Sequence, residues 1–212
     1  DAKDYWGEGS FKTEKTLKKE YGTSVGVVAI GQAGENQVKF ANVVSQEGMG
    51  AVMGSKNLKA VAIRGTKTLP TKDAKAVKTL GLEAYREVLA KPNYDFWKRQ
   101  GTMSVVEWSQ ENSVLPTQNF REGVFEKADD IGGFAMEKMK VSNRGCPHCN
   151  MTCGNVVEDS EKLPSELDYE NVALLGSNIS LGNLKKVATL NRLADDYGID
   201  TISLGNAIGF AM

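Results

Sequence analysis

Cysteine is scarce in this sequence: there are three among 212 residues, all between positions 146 and 153. An odd, clustered set is no disulfide framework, and thiols gathered in this way point to metal or redox chemistry. A reducing, cytoplasmic compartment is the expectation. No apolar run reaches the roughly 18 residues that a membrane-spanning helix needs. Asp1–Ser10 shows no basic stretch leading into an apolar one, so no secretory signal is expected. No charge of one sign predominates either, since 26 basic and 27 acidic residues leave a formal net charge of -1. Such balance gives no electrostatic case for nucleic acid or an anionic membrane as partner. Internal repeats and low-complexity tracts are lacking too. The length suggests one large domain or parts of two, enough to bury a core without disulfide staples.

What is present changes character near Lys67, β-rich before it and helical after it. Residues 11–21 read as a short amphipathic helix that stops at Gly22. Ser24–Ile30, Val38–Val44 and Ala60–Arg64 are β-rich runs, with a glycine-rich loop, Gly48–Lys56, between the last two. Asp73–Ala90 places Val77, Leu80, Ala84 and Val88 at helical spacing between Pro70 and Pro92. Asp95–Gln110 is helical with a break near Gly101, Leu115–Phe125 is an ordered loop, and Gly132–Val141 is a short helix. Asn183 caps a helix running to Tyr197, with Gly198 as its stop. A last helix starts near Thr201.

The strongest chemical signal is Cys146-Pro147-His148-Cys149-Asn150-Met151-Thr152-Cys153, a C-x2-C-x3-C array. Three thiolates on so tight a loop can wrap three corners of a [4Fe-4S] cluster, which normally takes a fourth cysteine. No fourth is present. A zinc site completed by His148 is the alternative, although a histidine between two of the cysteines makes tetrahedral ligation awkward. Three structural thiols are the plain option, and spacing alone leaves all three open. The Gly48–Lys56 loop, through Gly48 and Gly50, could bring backbone N–H groups close to a phosphate. It is not a P-loop, because Gly54-Ser55-Lys56 departs from the Gly-Lys-Ser order, and Gly31-x-x-Gly34 is not a dinucleotide fingerprint. A tight strand connection explains the glycines equally well.

A family resemblance rests on an ordered series of segments. Ala29-Ile30-Gly31-Gln32-Ala33-Gly34-Glu35-Asn36 and Gly50-Ala51-Val52-Met53-Gly54-Ser55-Lys56-Asn57-Leu58-Lys59-Ala60 resemble the first domain of aldehyde:ferredoxin oxidoreductases. Leu115-Pro116-Thr117-Gln118-Asn119-Phe120 is similar to a loop of their second domain. The cysteine array follows. Then come Asp168-Tyr169-Glu170, like the family's E-Y-E, and Asp195-Asp196-Tyr197-Gly198-Ile199-Asp200, like its D-x-x-G-L-D pterin motif.

The resemblance implies an α+β chain, with residues 1–66 ending a β-rich domain that forms the base for a tungsten (or molybdenum) bis-pterin. Residues 67–212 would then be most of a mainly helical domain. It further implies that Cys146, Cys149 and Cys153 hold a [4Fe-4S] cluster passing electrons to ferredoxin or a similar carrier, as a small aldehyde is oxidised to a carboxylate. Glu170 becomes the candidate general acid or base. Asp195 and Asp200, acceptor-only when ionised, suit the N–H edge of a pterin, with Gly198 and Ile199 turning the chain between them. On local sequence alone Asp200 is a helix cap, and Asp195 and Glu170 are solvated surface carboxylates. The pattern departs from the family in three places. Ser45-Gln46-Glu47-Gly48 is short of an arginine-containing stretch, Thr189-Leu190-Asn191-Arg192 carries no E-x-x-H iron motif, and Asp168 replaces a glutamate. Alternatives are a relative with other chemistry, such as reduction of an aromatic acyl thioester, or a non-enzymatic zinc-stabilised module. These 212 residues without the remaining domains are expected to be inactive.

Overall fold

α1 (Ser10–Tyr21) buries Thr13 and Leu17, one turn apart on a single face, and ends at Gly22. β1 (Gly26–Ala29) follows, then α2 (Gln32–Glu35), β2 (Asn42–Val43), β3 (Gln46–Glu47), α3 (Met49–Ser55) and β4 (Ala60–Ile63). β1 pairs antiparallel with β4, Val27 opposite Ala62, and β2 pairs with β3. The computed structural model describes residues 1–43 and 46–212. The chain divides into two compact units, one of Asp1–Thr66 with Thr189–Met212, the other of Lys67–Ala188.

Two expectations for the first unit are corrected. The glycine-rich stretch is not a loop: it folds as α3, entered through Gly48 at a φ of 74°. Its glycines admit close packing, since a Cβ on Gly54 would fall 1.8 Å from the Gly34 carbonyl oxygen. Of the β-rich run Val38–Val44, only Asn42–Val43 forms a strand among the described residues. A turn closed by the Ala41 amide on the Val38 carbonyl takes up the rest. Val44, at the end of that run, and Ser45, in the shortened stretch before Gly48, lie outside the described residues.

A buried ion pair ties this unit together. Lys59, 2% exposed, places Nζ 2.5 Å from Oε1 of Glu35, 6% exposed, and also donates to the Glu8 carbonyl at 2.6 Å. Glu35 accepts the Gly7 amide on both carboxylate oxygens, at 2.9 and 3.0 Å. The pair joins two segments of the family resemblance, Ala29–Asn36 and Gly50–Ala60.

The second unit begins with α4 (Ala74–Leu89), capped by the Asp73 carboxylate on the Ala76 amide. α5 (Tyr94–Gln100) breaks at Gly101 into a 3-10 turn and resumes as α6 (Val105–Glu111). α7 (Ala128–Ile131) precedes α8 (Gly133–Glu137); the helix expected over Gly132–Val141 is α8, shorter than expected, and the last residues of that span belong instead to a strand. β5 (Lys140–Arg144), β6 (Gly154–Glu158) and β7 (Pro164–Leu167) form an antiparallel sheet in that order. α9 (Tyr169–Leu175) follows. Met103, Val106, Leu115, Ile131, Met136, Val157, Leu167, Val172 and Leu175 are among the fully buried residues of this unit's core. α10 (Leu184–Tyr197) contains the second division between units, and α11 (Thr201–Ala211) closes the chain. The mixture of helix with small sheets is the α+β class expected from sequence.

Candidate functional site

The cysteine array is the connection between β5 and β6. Arg144 pairs with Gly154 at the base of that hairpin, so residues 145–153 project as its loop. All three cysteines are unpaired: Cys146 and Cys149 are exposed, Cys153 half-buried. A turn closes from the Cys149 amide to the Cys146 carbonyl at 3.0 Å. Two tyrosines hold the loop from outside. The Tyr85 hydroxyl on α4 donates to the His148 carbonyl, and the Tyr94 hydroxyl on α5 donates to the Asn150 carbonyl at 2.8 Å. The Asn150 side chain returns a bond to the Tyr85 carbonyl at 2.9 Å. Each neutral bond of this kind contributes about 1 kcal/mol. The double variant Tyr85→Phe/Tyr94→Phe is therefore expected to raise amide exchange across Cys146–Asn150 by roughly 10-fold or more while leaving the core of the unit protected. Exchange unchanged in the loop would show that the tyrosines do not restrain it.

Cys153 is the most confined of the three. Burial pushes its thiol above the usual cysteine value, a backbone hydrogen bond at Cys153 itself pulls the other way, and negative charge at Asp168, Cys146 and Cys149 pushes it further up. Among the described residues, no three His, Cys, Asp or Glu side chains are gathered as a metal-ion ligand set. The donors fit an iron–sulfur cluster chemically, as thiols on one exposed hairpin loop whose thiolate forms are the ligands such clusters take.

Asp168 precedes α9 and accepts the Thr102 hydroxyl at 2.9 Å, next to Gly101. Glu170 stands exposed in the first turn of α9, in the same unit as the cysteines. Asp195, Gly198, Ile199 and Asp200 lie in the other unit. There Gly198, at a φ of 70°, lets α10 turn against the backbone of Gly31. Ile199 bridges to Ala41, and the Asn42 amide bonds the Gly198 carbonyl at 2.9 Å. Asp200 caps α11, accepting the Ser203 amide at 2.6 Å. A carboxylate offers about four acceptor sites, so this cap leaves it capacity for an N–H edge. Asp195 is exposed. Gly48 caps α3, and Gly50 packs on Ala41 and Asn42 with its amide already donated to the Ala41 carbonyl at 3.2 Å. Asp196 was not singled out in the sequence. Its carboxylate accepts the Phe11 amide at 3.1 Å and so anchors the start of α1 to the Asp195–Asp200 turn. Only its place between the two motif aspartates could have drawn notice.

Residues 79–212 match the family model described as aldehyde ferredoxin oxidoreductase, domains 2 & 3, and residues 1–65 match that of the N-terminal domain. The chain belongs to the aldehyde ferredoxin oxidoreductase family. It is 38% identical, along its whole length, to a tungsten-containing aldehyde ferredoxin oxidoreductase of Pyrococcus abyssi, of which it covers 37%. A protein of the same description from Thermococcus kodakarensis is 36% identical, again over all of this chain and 37% of the relative. An aliphatic sulfonate oxidoreductase, WOR-like subunit, of Pyrococcus furiosus is 31% identical, over all of this chain and 38% of the relative. The chain thus spans little more than a third of the curated relatives it matches. Its fold is also that of part of a solved active-site complex, BamBC of benzoyl coenzyme A reductase. The TM-score is 0.76 at 24% identity, covering all of this chain and 35% of the other. The family is one of oxidoreductases. Among the described residues, no helix is long and apolar enough to cross a membrane.

Proposed function

We propose that this chain is part of a tungsten bis-pterin enzyme that oxidises small aldehydes to carboxylates and delivers the electrons to ferredoxin. The observation that carries the proposal is the cysteine loop, three unpaired thiols on the β5–β6 hairpin, in a chain 36–38% identical to tungsten-containing aldehyde ferredoxin oxidoreductases. When bound, the metal–pterin supplies the electron-accepting chemistry and a [4Fe-4S] cluster supplies an exit for single electrons. The chain's own residues do the rest. Cys146, Cys149 and Cys153 hold three corners of the cluster. Asp195 and Asp200 accept pterin N–H groups, with Gly198 and Ile199 shaping the turn that carries them. Gly48 and Gly50 contribute by shape, letting α3 lie close to the backbone of Ala41 and Asn42. Oxidation of an aldehyde to a carboxylate takes its second oxygen from water and releases protons along with the electron pair that the cofactors would accept, and Glu170 takes a proton from the reacting group.

The test is anaerobic, aldehyde-dependent dye reduction by the full-length protein. Glu170→Gln is expected to lower kcat by about 10²- to 10⁴-fold with iron and tungsten content unchanged. A variant as active as the wild type removes Glu170 from the chemistry. A wild-type protein inert towards aldehydes but active on a sulfonate, or on an aromatic acyl thioester, moves the chain to the chemistry of the more distant relatives.

A further inference from the structure

Asn155 is a polar residue on the buried face of the sheet. The side of β6 that carries it also carries Val157, and these stand opposite Leu167 and Ser165 of β7. Asn155 is fully buried. A buried amide is destabilising unless its groups are paired, and here each has a partner. Nδ2 donates to the carbonyls of Gln100 at 2.7 Å, Cys153 at 3.2 Å and Leu167 at 3.4 Å. Oδ1 accepts from Lys140 Nζ at 2.7 Å. The amide has one possible orientation, since an ammonium only donates and a carbonyl only accepts. Lys140 directs its remaining donors to the Arg99 carbonyl at 2.7 Å and the Lys98 carbonyl at 3.3 Å, in the last turn of α5. A leucine would fill the same sheet face without these demands. What the asparagine adds is a donor on the backbone of Cys153, braced from behind by a lysine anchored to a helix end.

We propose that Asn155 is the positioning residue of the Cys153 arm, with Lys140 fixing its amide, so that one of the three thiols is set in place by the fold while the other two close on the metal. The proposal rests on the cysteine loop holding an iron–sulfur cluster. Outer partners of metal ligands typically change metal affinity by 10- to 100-fold when removed.

The experiment uses the full-length protein, purified anaerobically, as wild type, Asn155→Leu, Lys140→Met and Lys140→Arg. Three quantities are read: the thermal midpoint, the rate of iron loss to a ferrous chelator, and the electron paramagnetic resonance spectrum after dithionite reduction. Asn155→Leu is expected to unfold close to the wild-type midpoint, release iron about 10- to 100-fold faster, and show an altered spectrum. Lys140→Met is expected to move the same way, and Lys140→Arg, which keeps donors and charge, to restore wild-type retention. Wild-type iron loss and spectrum in both Asn155→Leu and Lys140→Met overturn the proposal. So does iron loss that merely tracks the thermal midpoint across the set. The wild-type iron content, read first, tests the cluster alone: iron absent overturns both ideas, while iron present with indifferent variants overturns only this one.

Discussion

Replacing Gly101 by alanine is expected to unseat Cys153. Gly101 has a φ of 55° and a ψ of -138°, a conformation open to glycine and strained for any other residue. A Cβ built there would lie 2.2 Å from the carbonyl oxygen of Cys153 and 3.3 Å from its Cβ. Backbone strain costs roughly 1–3 kcal/mol, and relieving the clash costs about as much again. The clash can be relieved only by moving the cysteine arm or the end of α5. Chemical denaturation of the full-length Gly101→Ala protein should show a loss of roughly 2–6 kcal/mol, and its iron content should fall well below that of the wild type. Normal stability and full iron loading would mean that the contact between Gly101 and Cys153 does not exist in solution.

Lys59→Met is expected to be the more damaging change in the first unit. It leaves the Glu35 carboxylate, 6% exposed, with the Gly7 amide but without the ammonium at 2.5 Å. Breaking one side of a buried pair costs about 3–5 kcal/mol, because the surviving charge stays out of water. The double variant Glu35→Gln/Lys59→Met removes that charge and should recover a substantial part of the loss. Measured by denaturant titration, a single-variant loss under about 1 kcal/mol would show that water reaches the pair. The effect extends beyond stability. α2 and α3 carry Gly34 and Gly54, which pack backbone to backbone; Glu35 is the next residue after Gly34, and Lys59 follows Gly54 by five positions.

Local signals made the helices legible. Asp73, Asn183 and Asp200 are capping types followed by apolar periodicity, and helices begin next to each. Periodicity alone did not settle burial: Val77 and Leu80 on α4 are 57 and 68% exposed. The sheet that carries the cysteine loop was hidden for a different reason. Its core-facing positions include Asn155 and Ser165, so the apolar–polar alternation that marks a half-buried strand is broken where tertiary hydrogen bonds replace apolar contact. The glycines before Lys56 read as a loop because glycine disfavours helix interiors. The benefit here, close approach of two backbones, depends on residues some 20 positions away. The Glu35–Lys59 pair is likewise a contact between segments that are distant in sequence. Of the candidate site, the residue types and their order were readable from the chain. The hairpin that presents the cysteines, and the tyrosines, Gly101 and Asn155 that hold its loop, were not.

Metal analysis of the full-length protein purified without oxygen, together with its visible spectrum before and after dithionite, bears most directly on the central claim. A [4Fe-4S] centre on Cys146, Cys149 and Cys153 within a tungsten enzyme predicts about four irons per chain, tungsten in addition, and a broad brown absorbance that bleaches on reduction. A colourless protein holding about one zinc per chain, with neither iron nor tungsten, would contradict it.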